Sequence, residues 1–200
     1  MPVSNDMLRS CPCRQWRVAA QAGITVGQHL EELLQLYDHL PARVEHVLEI
    51  GTHHGGWLFM LASAIPAPAR FCAVDPVGCA EIGWVQADLR QAGFDVALVE
   101  RRSADALPAI RQWLDGASLD VLHLDGAHKA AAVGLDWEMY APLVRPGGIV
   151  SLHDIAASGP EAQAGPRRLF EALQHTHQTH VCQVLWGKGL GIGVVESPGG

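Results

Sequence analysis

No stretch of this chain approaches the roughly 18 consecutive apolar residues that a membrane span requires, and the opening residues have no apolar core of the signal-peptide kind. A soluble, cytoplasmic protein is expected, with no membrane partner. Basic residues are also scarce. The 14 Lys and Arg against 21 Asp and Glu give a formal net charge of -7, and no basic cluster exceeds Arg101-Arg102 or Arg167-Arg168. A nucleic-acid ligand needs a basic footprint, so the expected partner is a small molecule. Five scattered cysteines are too few for a disulfide framework, and the odd count leaves at least one thiol unpaired. Cys11-Pro-Cys13 is half of a metal site at most, because no second Cys or His pair completes a zinc pattern. No internal repeat or low-complexity segment is present.

What the chain does have is one substantial core. With 200 residues, 48% hydrophobic and 18% charged, it is most simply a single domain over residues 26–200. Residues 1–25, of mixed character and carrying Pro2, Pro12 and Gly23, are expected to form an N-terminal lid or a disordered segment. Nothing in the sequence sets an oligomeric state, and a homo-oligomer stays open.

The domain is organised around Val44 to Trp57. A near-continuous apolar run with Val47, Leu48 and Ile50 suits a strand buried on both faces, and it stops at Gly51-Thr-His-His-Gly55-Gly56. Glycines there let the backbone turn tightly and approach a ligand. Trp57 to Ile65 then reads as a helix closed by Pro66. A parallel strand, a glycine turn and a helix start commonly receive a nucleotide-like cofactor in an α/β sheet. The dinucleotide fingerprint would need glycine at position 53, where the chain has His53. The spacing from Glu49 to Gly56 is E-x-G-x-x-x-G-G, which resembles the first motif of the class I S-adenosylmethionine-dependent methyltransferases. In that family the cofactor carries no phosphate and lies against the turn.

One crossover later, Arg70 to Val74 reads as a second strand ending in Asp75-Pro76. Asp75 lies 24 residues beyond Gly51, where an acid is placed to accept hydrogen bonds from ribose hydroxyls. Asp-Pro also commonly starts a turn. Cys79 to Ala92 is expected as a helix with Ile82, Val85 and Leu89 on one face, and Phe94 to Val99 as a third strand. Ser103 and Ala104 follow it, and the resemblance places them near the adenine. Ser103 or Asp105 capping a helix over 106–114 is the other reading, compatible with the first. Before the first strand, Val26 to Leu40 shows Leu30, Leu33, Leu34 and Tyr37 at helical spacing.

Leu119 to Leu124 reads as a fourth strand that exits into Asp125-Gly-Ala-His128. A helix over 129–144, with Val133, Trp137 and Tyr140 on one side, leads through Pro146-Gly147-Gly148 to a fifth strand, Ile149 to Leu152. That strand ends in His153-Asp154. Two neighbouring strands thus deliver Asp125, His128, His153 and Asp154 to one edge of the sheet. These runs, with Trp137 to Gly148 and Gly165 to Phe170, resemble the macrocin O-methyltransferase and cephalosporin-hydroxylase-like group over roughly residues 44–172. The resemblance implies metal ligation by Asp125 and Asp154 and a general base at His128. It puts His153 where the macrolide enzymes usually have another acid, as a third ligand, a supporting residue or a second base. Two carboxylates with open water positions suit magnesium, and a nitrogen ligand shifts preference towards manganese, iron or zinc. Trp57 departs from the small hydroxyl residue common in the family's turn.

His175, His177 and His180 read as a solvated connection, and 180–186 with 190–195 as two strands joined through Gly187-Lys-Gly189. The expected fold is therefore α/β and Rossmann-like: a mostly parallel seven-stranded sheet with a C-terminal antiparallel hairpin and helices on both faces. Candidate cofactor contacts are Glu49, Gly51, Gly55 and Gly56 at the first turn, then Asp75, Ser103, Ala104 and Asp125. Candidate metal ligands are Asp125, His153 and Asp154. The expected function is transfer of a methyl group from S-adenosylmethionine to a small hydroxylated molecule, assisted by a divalent metal, magnesium or manganese. Alternatives are a metal-independent methyltransferase of the same fold, a nicotinamide-dependent oxidoreductase, and a binding module that holds the cofactor without turning it over.

Overall fold

The computed structural model of the chain describes residues 28–77, 80–156, 164–184 and 190–197. The N-terminal segment 1–25 with its Cys-Pro-Cys, residue Cys79, most of the loop 156–166 and the connection 187–189 lie outside the described residues.

Seven strands form one sheet: β1 (His46–Ile50), β2 (Arg70–Val74), β3 (Asp95–Val99), β4 (Leu119–Leu124), β5 (Val144–His153), β6 (Thr179–Cys182) and β7 (Ile192–Glu196). The order is β3-β2-β1-β4-β5-β7-β6. β1 to β5 pair in parallel, and β7 runs antiparallel to both β5 and β6, as the sequence predicts. Order reverses at β1, so the crevice between the ends of β1 and β4 is the topological switch point where such sheets bind ligands.

Strand periodicity explains the layers. Val47, Phe71, Val96, Val121 and Ile149 face one way and pack with helices α1 (Leu30–Tyr37), α2 (Gly56–Leu61) and α3 (Ala80–Gln91). Leu48, Cys72, Leu122, Val150 and Leu152 face the other way, against α4 (Ser103–Leu114), α5 (Ala130–Tyr140) and α6 (Gly165–Leu173). Each central strand is buried on both faces, and the near-continuous apolar runs follow from that.

Several boundaries differ from expectation. α1 is shorter than 26–40, and it buries Glu32, Leu33 and Leu36 while Leu34 is exposed. Its inner face is set by Glu32, which accepts hydrogen bonds from the backbone N–H groups of Gly191 (2.9 Å) and His29 (3.2 Å). α2 ends at Leu61 rather than running to Ile65. α5 stops at Tyr140, a short 3-10 turn spans Ala141–Leu143, and Pro146-Gly147-Gly148 lies inside a long β5 rather than in a turn before it. A register shift between Leu119 and Val121 accommodates that stretch, since a bulge lets proline and glycine enter a strand. Arg102, not Ser103 or Asp105, is the N-cap of α4, with no side-chain cap. His180 belongs to β6, stacks on His39 at 4.1 Å and bonds Glu196, so it is not part of a solvated connection.

Candidate active site

The first turn begins where β1 meets β4. Gly51 has φ 88°, and a Cβ there would sit 2.4 Å from the Asp125 carbonyl oxygen. Its glycine is thus required by the close approach of two strand ends as much as by any ligand. Gly55, at φ 77°, is the N-cap of α2. His53 takes φ 45°, uncommon for a residue with a side chain. Its backbone N–H donates to the Asp75 carboxylate at 2.9 Å, and the Val77 N–H donates to the other oxygen at 3.0 Å. The turn reading of Asp75 is thus seen, and a carboxylate that organises its own turn keeps acceptor capacity for a ligand.

Two cavities open at this edge of the sheet. The larger, about 620 Å³, runs along the ends of β1, β2 and β4 to the start of α4 and is walled by Gly51, Asp75, Ser103, Ala104 and Asp125 among others. The smaller, about 270 Å³, is walled by Glu49, Gly56, Trp57, Asp125, His128 and the His153-Asp154 pair. Gly51, His53 and Asp125 line both. Of the residues expected at a cofactor, Glu49 and Gly56 thus fall in the smaller cavity, and Gly55 lines neither.

The strand ends bring the expected acids and histidines together. One ligand atom each from Asp125, His128 and Asp154 lies within 4.8 Å of the other two. With the proton on Nε2, His128 donates a short hydrogen bond to Asp154. That bond raises the His128 pKa above its ordinary value against the pull of partial burial. Burial pushes the Asp154 pKa up, but the bond to His128 and the nearby His153 outweigh it, and the net shift is down. His153 Nδ1 lies between the two acids, 3.1 Å from Asp125 and 3.3 Å from Asp154. Burial alone would lower the His153 pKa, and the carboxylates turn the shift upward. α6 supports the cluster from below. The Gly165 N–H donates to the His128 carbonyl at 2.9 Å, and a Cβ at Gly165 would meet that oxygen at 2.4 Å.

Other contributors escaped the sequence reading. Gln28, 4% exposed, donates from Nε2 to Asp125 Oδ2 at 2.8 Å across 97 residues of chain. His123, mid-strand in β4 and fully buried, has its pKa pushed down to about 3 by burial and is neutral at any ordinary pH. Its Nδ1 bonds Ser151 at 2.8 Å, and Trp57 stacks on its ring at 4.1 Å and 3°. This stack accounts for the large residue in the glycine turn. No motif marks Gln28; a histidine inside the apolar run 119–124 was the available signal for His123.

A family model described as a methyltransferase domain matches residues 48–155, more than half of the chain. The chain belongs to that family. It is an enzyme of the class I, S-adenosylmethionine-dependent methyltransferases. No curated protein sequence matches it. Solved structures share the fold. The O-methyltransferase TomG from Streptomyces achromogenes, involved in tomaymycin synthesis and solved with S-adenosylmethionine, is 22% identical, with 94% of this chain and 89% of that one covered and a TM-score of 0.68. An O-methyltransferase from Bacillus cereus bound to S-adenosylhomocysteine is 18% identical, with 93% and 90% covered and a TM-score of 0.64. The MycE methyltransferase of the mycinamycin pathway, solved with Mg, S-adenosylhomocysteine and mycinamycin VI, is 19% identical with a TM-score of 0.61; 92% of this methyltransferase matches 53% of that chain. Among the described residues no helix is long and apolar enough to cross a membrane.

Proposed function

We propose that this methyltransferase is an O-methyltransferase of a small hydroxylated molecule, with S-adenosylmethionine in the larger cavity and the acceptor hydroxyl in the smaller one. The observation that carries the reading is the junction: the two cavities meet at Asp125, beside His128 and Asp154. The net charge of -7 supports a small acceptor over a nucleic acid.

S-adenosylmethionine supplies an activated methyl group on a sulfonium sulfur; the new bond is methyl carbon to acceptor oxygen, and the leaving group is neutral S-adenosylhomocysteine. An alcohol or phenol is a poor nucleophile at neutral pH, so the residues have two tasks: to hold the hydroxyl in line and to take its proton. Asp75 accepts from the ribose hydroxyls. His128, oriented by Asp154, takes the proton, and its raised pKa suits it to hold one.

The donor set also fits a divalent cation. Two carboxylates and an imidazole converge; Asp154 Oδ1 is buried with no hydrogen-bond partner among the described residues, and its ion-pair contact is to His153 Nδ1 at 3.3 Å, so a cation there would meet an acceptor that has no full hydrogen bond. Asp125, Asp154 and one imidazole, that of His128 or His153, would hold the cation. Bound there, a divalent metal lowers the pKa of a coordinated hydroxyl. The His128 Nε2 cannot hold a cation and a proton at once, and in the structure it is hydrogen-bonded to Asp154. That contact favours a second reading, a metal-independent His128–Asp154 base pair.

Calorimetry and radiolabelled methyl transfer to a panel of catechols, sugars and other hydroxylated molecules separate these. S-adenosylhomocysteine binds and NADH does not; the reverse outcome overturns the reading. Asp154→Ala keeps S-adenosylhomocysteine binding but loses magnesium or manganese binding and turnover. His128→Ala lowers the rate by about 100-fold or more. Undiminished transfer in chelator removes the metal and leaves the His128–Asp154 pair.

A further inference from the structure

Asp125 stands where the two cavities meet, and its carboxylate is held from two sides. Oδ1 lies 3.1 Å from His153 Nδ1 on the neighbouring strand β5. Oδ2 accepts from Gln28 Nε2 at 2.8 Å. His123 is also near that oxygen, but at 3.9 Å its Nε2 is beyond hydrogen-bond distance. Among the described residues, Gln28 is therefore the hydrogen-bond donor to Oδ2.

The amide of Gln28 shows which partner it serves. Gln28 is 4% exposed and lines the smaller cavity, and its Oε1 is buried with no hydrogen-bond partner among the described residues. Leaving that oxygen unpaired costs free energy. Turning the amide over would set Oε1 against a carboxylate oxygen, so the orientation seen is the one that Asp125 imposes. The backbone that carries Gln28 is itself anchored. The N–H of the next residue, His29, donates to Glu32 at 3.2 Å, and the same buried carboxylate accepts from the Gly191 N–H at 2.9 Å. The start of α1 is thereby fastened to the residue before β7, and Gln28 reaches from there to the end of β4.

A carboxylate bonded through one oxygen alone can swing about its Cβ–Cγ bond, a terminal torsion with broad minima. Donors on both oxygens fix the plane of the Asp125 carboxylate and leave about two of its roughly four acceptor positions open. A ligating group holds a metal well only when its own partners hold it in place. We propose that Gln28 is a positioning residue: through its bond to Oδ2 it sets the Asp125 carboxylate for a divalent cation shared with Asp154, an inference that rests on the metal-assisted reading above. Gln28, 97 residues ahead of the acid it holds, thereby belongs to the site.

The test measures manganese binding to the full chain by electron paramagnetic resonance of the free ion, at one pH and without substrate, alongside the melting temperature. Gln28→Met keeps the approximate length of the side chain and removes the amide. It should weaken manganese binding by about tenfold or more, the usual cost of removing a partner from a ligating group. Gln28→Asn keeps the amide on a shorter stem that falls short of Oδ2, and a loss in the same direction is expected; it decides the matter should Gln28→Met not fold. Manganese affinity equal to wild type in folded Gln28→Met, or in Gln28→Asn where only that variant folds, overturns the proposal. So does a lower melting temperature with unchanged manganese affinity, the result that a merely structural role for Gln28 would give. Asp154→Ala separates this inference from the reading beneath it. A wild type that does not bind manganese, or that binds it as tightly after Asp154→Ala, overturns the metal-assisted reading and this inference with it. Where Asp154→Ala abolishes binding and the Gln28 variants do not weaken it, the role of Gln28 alone is refuted.

Discussion

Glu49 is 2% exposed on β1, and among the described residues only the Thr52 hydroxyl, 2.5 Å from its carboxylate, donates to it. Burial pushes its pKa up to about 8; the Thr52 bond opposes this, and the charges of Asp125 and Asp75 add to it. Between about pH 4.5 and 8 the folded protein therefore keeps a proton that the unfolded chain has released. The unfolded state binds fewer protons there, so this group's contribution to stability falls as pH rises through that window and levels off above it. Glu49→Gln keeps a hydrogen-bonding partner for Thr52 and removes the titration. The variant should melt higher than the wild type at pH 8 and show a flatter melting temperature against pH between 5 and 8. Parallel curves for the two proteins would mean that Glu49 is ionised in the fold throughout. With Glu49 neutral, the negative charge of the smaller cavity rests on Asp125 and Asp154.

At the scale of elements, Asp120 fixes how β1 enters the sheet. Its carboxylate accepts from the backbone N–H groups of Glu45 and His46 at 2.7 and 2.8 Å and from Arg145 Nε at 2.5 Å. It thereby ties the first residues of β1 and β5 to β4 at the end of the sheet away from the site. Asp120→Ala leaves these donors without their partner and should cost on the order of 3 kcal/mol in urea unfolding. The S-adenosylhomocysteine affinity of the folded variant should stay near the wild-type value; a large loss would show that the strand ends shift together. Asp120 also marks what the sequence could and could not disclose. The strands were legible because apolar runs buried on both faces have no polar alternation to confuse them, and Asp75, Asp125 and Asp154 were legible because each stands at the end of such a run. Asp120 and Gln28 were not, since their partners lie far away in sequence and a polar residue gives no local sign of what it will meet. Helix ends were missed for a related reason. α4 and α5 begin without side-chain caps, so the cap residues that usually announce a start were absent or misplaced. Pro146-Gly147-Gly148 has the composition of a turn, and only pairing with β4 through a register shift makes it strand.

For the molecule as a whole, the larger cavity draws its walls from the ends of β1, β2 and β4 and from α4 and α5, elements that belong to one cooperative sheet and one of its helical layers. A ligand held there has no counterpart site in the unfolded chain, so its binding free energy adds to global stability. At 100 times its dissociation constant, S-adenosylhomocysteine should stabilise the protein by about 2.7 kcal/mol. For a chain of this size that corresponds to a rise in melting temperature of roughly 5–10 °C. The shift should grow with the logarithm of ligand concentration once the site is saturated. Asp75→Ala, which removes the proposed ribose acceptor, should need about tenfold or more ligand to reach the same shift. NADH, whose pyrophosphate would have to pass the side chain at His53, should give none. A thermal scan that shows no shift with S-adenosylhomocysteine, or an equal shift with NADH, would mean that the larger cavity is not the cofactor site, whatever the resemblance of the sheet around it.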